Sequence, residues 1–67
     1  MEVFFNNQPT EILEDVTLQQ AINEWIGEKQ KGIAAAINAQ VIPKPQWANH
    51  RLRSNDQVLV IRATQGG

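Results

Sequence analysis

The amino-acid sequence predicts an α+β fold in which one mixed sheet wraps around a single helix, and three observations predict it. The chain opens with an apolar segment that runs into two asparagines, Asn6-Asn7, the signature of a strand entering a tight hairpin turn. Between Leu18 and Ile26 the apolar residues fall at helical spacing. Near the end, Val58 to Ile61 is continuously apolar and largely β-branched, as expected of a strand buried on both faces in the middle of a sheet. With 67 residues there is room for one small domain and no multidomain enzyme. A chain of this size buries only about 60% of the surface its unfolded form exposes, so a deep catalytic cleft would compete with the core. A binding or carrier module fits better. Apolar residues make up 42% and charged residues 19%, an ordinary globular composition. The absence of cysteine removes disulfides, thiolate metal sites and thiol nucleophiles together.

The elements follow in order. Glu2 to Phe5 is the first strand, and Gln8 to Leu13 returns as the outer strand, because Pro9 cannot donate a ladder hydrogen bond and suits an edge. Thr17 with Gln20 three residues on is a capping box, so a helix starts there. Leu18, Ala21, Ile22, Trp25 and Ile26 form its apolar stripe, which places Trp25 in the core, and Gly27 stops it. Ile33 to Ile37 and Gln40 to Ile42 form a second hairpin around Asn38-Ala39, ended by Pro43 and Pro45. Residues 43 to 57 read as a long connection that Trp47 pins to the core, with a turn at Ser54 to Gln57. Val58 to Ile61 is the last strand. Hairpin, helix, hairpin and final central strand make a β-grasp arrangement, which we divide into a domain over residues 1–63 and a flexible tail over residues 64–67.

Net charge is −1 and the pI about 5.6, which argues against a protein that binds nucleic acid through its phosphates. The charge is unevenly distributed. Residues 1–28 hold Glu2, Glu11, Glu14, Asp15, Glu24 and Glu28 with no Lys or Arg, whereas Lys29, Lys31, Lys44, Arg51, Arg53 and Arg62 follow against Asp56 alone. Folding either interleaves these halves into a mixed surface or leaves a basic face suited to an acidic partner. The sequence shows no secretory leader and no apolar run of membrane-spanning length, so a cytoplasmic location without membrane association is expected.

One helix covers only one face of a sheet. If Val3, Phe5, Val58 and Val60 face it, then Phe4, Leu59 and Ile61 point outward as an apolar patch, expected to be a partner-docking face, with dimerisation or loop cover as the alternatives. Beyond the last strand come Arg62, Ala63, Thr64, Gln65, Gly66 and Gly67. Four steps beyond Ala63 reach about 14 Å at roughly 3.5 Å per residue, enough to thread a partner's active site. Gly66 and Gly67, having no Cβ, pass a constriction that any side chain would block. A terminal carboxylate on Gly67 would be anionic near neutrality. It can attack a polarised phosphate, and adenylation by ATP would convert it to an electrophile. Lacking a phosphate-binding glycine loop, this chain would be the substrate of that step, and the partner enzyme would supply ATP, Mg²⁺ and the basic residues. No cofactor bound by the chain itself is expected.

These features meet a family. Ala34-Ala35-Ala36-Ile37-Asn38, then Val41-Ile42-Pro43-Lys44, Trp47, Leu52, Asp56-Gln57-Val58 and the terminal Gly66-Gly67 closely resemble the ThiS family of thiamine-biosynthesis sulfur carriers, within the ubiquitin-like ThiS/MoaD group. Asn6-Asn7 and the helix at Thr17 fit in position. Ala39 and Asn55 stand where the family often has glycine, and Lys44 where it commonly has arginine. The resemblance implies that a ThiF-like adenylating enzyme activates Gly67 as an acyl-adenylate. A protein persulfide then donates sulfur to give a C-terminal thiocarboxylate, which a ThiG-like thiazole synthase consumes. A molybdopterin-synthase small subunit and a ubiquitin-like modifier would use the same tail. A passive β-grasp interaction module would leave it inert.

The remaining candidates read as structural. His50 has no second ligand at metal spacing, so no metal site is expected. Glu11, Glu14 and Asp15 precede a helix N-terminus and suit its dipole, and no catalytic residue is assigned. Arg62, where strand meets tail, is a candidate docking residue for an acidic group on the activating enzyme, or simply solvated.

Overall fold

The computed structural model describes residues 1–62, and its elements follow the expected order. β1 (Glu2–Phe5) and β2 (Gln8–Glu11) form an antiparallel hairpin. Asn6 and Asn7 sit at φ 49° and 69°, the left-handed pair that lets a two-residue turn follow the twist of the strands. β2 ends at Glu11 instead of Leu13. The Ile12 N–H still donates to the Met1 carbonyl at 2.8 Å, but Leu13 has left the ladder and is 80% exposed.

Helix α1 (Leu18–Ile26) begins as its capping box requires. The Gln20 N–H donates to Thr17 Oγ1 at 3.1 Å and the Thr17 N–H to Gln20 Oε1 at 2.9 Å, so each residue satisfies a backbone donor that the first turn leaves free. Gly27, at φ 76°, closes the helix with its N–H on the Asn23 carbonyl at 3.1 Å. Leu18, Ala21 and Ile22 are buried. Trp25, expected in the core, is only half-buried. It lies in the last turn, where the Phe5 ring, 4.3 Å away between centroids and tilted 31°, packs against it, and its remaining surface lines a groove.

β3 (Ile33–Ile37) and β4 (Gln40–Ile42) turn through Asn38 and Ala39, both at positive φ. The expected connection contains a 3₁₀ helix, Lys44–Asn49. Proline at its start has its φ already set and lacks an N–H that would have no partner there. That helix turns Trp47 fully inward, with Nε1–H donating to the Ile42 carbonyl at 2.8 Å. The chain then runs beside the start of α1, the Leu18 N–H donating to the His50 carbonyl at 2.7 Å and the Leu52 N–H to the Val16 carbonyl at 2.9 Å. β5 (Gln57–Arg62) extends one residue beyond the expected strand at each end.

The sheet order is β2-β1-β5-β3-β4, with β5 parallel to β1 and antiparallel to β3. β5 is central, as expected, but it is buried on one face only. Val58 and Val60 face α1 beside Ala35 and Ile37, whereas Leu59 and Ile61 are 48% and 57% exposed. This order also decides where the charge goes. Both strands of the acidic first half lie on one side of β5, and those of the basic second half on the other, so the sheet does not interleave them. Arg51 with Asp15, 3.4 Å apart on the surface, is the one side-chain ion pair between the halves among the described residues. Among the described residues, no helix is long and apolar enough to cross a membrane.

Candidate functional site at the end of the central strand

β5 carries the chain to its final residues, and three sets of contacts hold it in line. At its first residue, the Gln57 N–H donates to Asn38 Oδ1 at 3.0 Å, while Asn38 Nδ2 donates to the buried Asp56 carboxylate at 3.0 Å. The other Asp56 oxygen accepts the Arg53 N–H at 2.8 Å, which fixes the turn into the strand. In mid-strand the Asn6 N–H donates to the Val58 carbonyl at 2.8 Å, and Asn6 Oδ1 accepts the Val60 N–H at 2.8 Å. Asn6 thus prolongs the β1–β5 pairing with its side chain after β1 has turned away. At the far end, Arg62 donates from Nη2 to the Lys29 carbonyl at 2.9 Å and from Nη1 to the Lys31 carbonyl at 3.3 Å. Arg62 is therefore not simply solvated, and it pairs with no carboxylate among the described residues. It fastens the end of β5 to the loop between α1 and β3, beside two exposed lysines.

The outward face of the sheet is apolar across several strands. Leu59 pairs with Ala36 and Ala36 with Val41, a row across β5, β3 and β4, and Ile61 pairs with Ala34 in the next row. Val41, 68% exposed, belongs to this face and was absent from the expected patch, although its alternation with the buried Ile42 would have placed it there. Phe4 lies on the same face by alternation with the buried Val3. It is only half-buried, and its register neighbours are Pro9 and Gln57, not Leu59. The patch thus centres on β5, β3 and β4, with Phe4 at its edge.

Gly66 and Gly67, the tail over residues 64–67 and the boundary after residue 63 lie outside the described residues. His50 is half-buried, and its carbonyl serves the bridge to α1. Among the described residues, no three His, Asp or Glu side chains gather as a metal site would require.

The model of the ThiS family matches residues 3–67, which takes in all of the sheet but Glu2, the helix and the final glycines. The chain belongs to the ThiS family. This ThiS-family chain is 34% identical over 67 residues to the sulfur carrier protein ThiS of Escherichia coli K12, with all of both chains covered. Its fold is that of the thiamine biosynthesis protein ThiS from Geobacter metallireducens, whose crystal structure superposes with a TM-score of 0.87 at 14% identity over all of both chains. A solution structure of a thiamine biosynthesis protein from the same organism gives 0.79 at 14% identity, covering all of this chain and 88% of that one. The β-grasp assignment stands on these superpositions and on the five-stranded mixed sheet with its single helix.

Proposed function

We propose that this protein is a sulfur carrier for the thiazole ring of thiamine, itself a protein substrate and not an enzyme. The observation that carries this reading is the family match through residue 67, joined to full-length similarity to a sulfur carrier. The fold suits a carrier, because a rigid central strand, braced along its length, ends where the carrier residues begin.

In the proposed cycle a ThiF-like adenylating enzyme, using ATP and Mg²⁺, lets the Gly67 carboxylate attack the α-phosphorus with loss of pyrophosphate. The terminal sulfur of a protein persulfide attacks the resulting acyl carbon and AMP leaves. A thiol then cleaves the sulfur–sulfur bond, leaving the thiocarboxylate that a ThiG-like thiazole synthase consumes. Gly66 is the slender lead into the partner's site, and Leu59, Ile61 and Phe4 form the docking face, to which we join Val41 because it is exposed on the same side of the sheet. Arg62, which ties the end of β5 to the loop between α1 and β3, is a further docking residue, for an acidic group on the activating enzyme. A cytoplasmic location goes with these partners and with the supply of ATP.

The test is an intact mass spectrum after incubation with ATP, Mg²⁺, a persulfide donor and the cognate adenylating enzyme, followed by fragmentation. Exchange of one oxygen for sulfur, localised to Gly67, is the expected result. An unchanged mass with an enzyme active on a known carrier would overturn the reading, and an isopeptide adduct would replace it with protein modification.

A further inference from the structure

A second surface lies across the molecule from the outer sheet face. Between the end of β2 and α1 runs a groove of about 420 Å³. Ile12, Val16, Ala21 and Trp25 form its apolar floor, and the first two and Trp25 are half-buried against the core. Leu13 stands beside it at 80% exposure, the most exposed large apolar residue described. Single exposed leucines are common on protein surfaces, but one continuous with an apolar groove enlarges a patch that water contacts unfavourably.

The rim is acidic from both sides. Glu11 stands on the β2 side, and Glu24 on the helix side one turn beyond Gln20. Glu14 lies in the adjoining turn. Every lining residue comes from residues 1–28, the half of the chain without Lys or Arg. Of the basic half, Arg51 reaches the end of the groove, where it lies 3.4 Å from Asp15 beside Val16, and on the rim itself the Met1 amino group lies 3.0 Å from Glu11. Glu24, exposed on the rim, has no salt-bridge partner among the described residues.

We infer that this groove docks a basic, amphipathic segment of a partner protein, one that inserts large apolar side chains between Leu13 and Trp25 and sets lysine or arginine against Glu11 and Glu24. Apolar floor and single-sign rim each select one half of that chemistry. A purely basic segment would leave the floor wet, and an acidic one would be repelled. The groove and the outer sheet face are separate, so two partners can hold the carrier at once. The inference goes beyond the carrier chemistry and is tested without it.

The experiment is an amide NMR titration of the full-length protein with a blocked peptide of sequence Lys-Arg-Leu-Leu-Arg-Lys. Two controls accompany it, an analogue with both leucines replaced by serine and one with every basic residue replaced by glutamate. Saturable shifts confined to residues 11–16 and 20–25, weakened roughly tenfold between about 0.05 M and 0.5 M salt, are expected. Both control peptides should bind at least about tenfold more weakly. Because Glu24 is exposed, Glu24→Lys should keep the spectrum of the folded protein while abolishing the titration. Shifts centred on Leu59 and Ile61, equal binding of the glutamate peptide, or an unchanged titration in folded Glu24→Lys would each overturn the assignment. So would the absence of saturable binding.

Discussion

Asn6 illustrates how one side chain can serve a turn and a strand together. It holds φ 49° in the hairpin and gives Oδ1 to the Val60 N–H at 2.8 Å on the central strand. Asn6→Gly keeps the turn but removes that acceptor, a loss of about 1 kcal/mol. Asn6→Ala adds left-handed strain, and should fall below Asn6→Gly by roughly 0.5–1 kcal/mol once glycine's backbone entropy is subtracted, measured by urea unfolding. Asp56 is the stronger case. Asp56→Ala leaves the Arg53 N–H and Asn38 Nδ2 without their acceptor, and should lower stability by about 2–3 kcal/mol in the same assay. The turn-forming character of Asn6 and Asp56 was legible, because it depends on near neighbours. Their bonds to Val60 and Asn38 were not, because they span 54 and 18 residues and exist only once the sheet order is set.

The same division between local and long-range causes appears among the elements. Helix α1 is legible at both ends because Thr17, Gln20 and Gly27 act within a few residues of the backbone groups they satisfy. Thr17→Ala removes one side of the capping box and should cost about 1 kcal/mol, seen as a lower urea midpoint with an unchanged slope. Gly27→Ala is the sharper test of what ends the helix. A Cβ there would meet no atom within 4 Å, so any loss comes from the backbone at φ 76° and ψ −137° alone, of order 1–3 kcal/mol. A neutral substitution would show that the chain can relax into another cap. The 3₁₀ helix Lys44–Asn49 is hidden in the sequence because Pro43 and Pro45 end a strand and start a helical turn by the same fixed φ. Only the docking of Trp47 beneath β4 chooses between the two. Trp25 departs from its expected burial for a related reason: spacing puts it on the apolar stripe, but tertiary packing sets its burial, with Phe5 at the end of β1 against its ring and the remainder lining the groove.

For the whole molecule, the decisive fact is that one helix cannot cover both faces of a five-stranded sheet. The exposed Leu59, Ile61 and Val41 are what remains, and no charge or proline interrupts their rows across β5, β3 and β4. The patch was legible in outline, since alternation assigns Leu59 and Ile61 outward. Its centre was not, because the register, not the strand sequences, sets Val41 beside Leu59 through Ala36 and puts Phe4 next to Gln57. If this face docks the adenylating enzyme, Leu59→Asp should reduce kcat/KM for acyl-adenylate formation by at least about tenfold, the loss expected on placing a charge in the desolvated centre of an interface. Since Leu59 is half-exposed in the free protein, the thermal midpoint should move little, which separates lost docking from lost folding. Deleting Gly66 and Gly67 should act in the opposite way, abolishing adenylation while leaving affinity for the enzyme nearly unchanged. A Leu59→Asp variant that is adenylated normally would instead mean that the tail finds its enzyme without the sheet, and that the apolar face serves another contact.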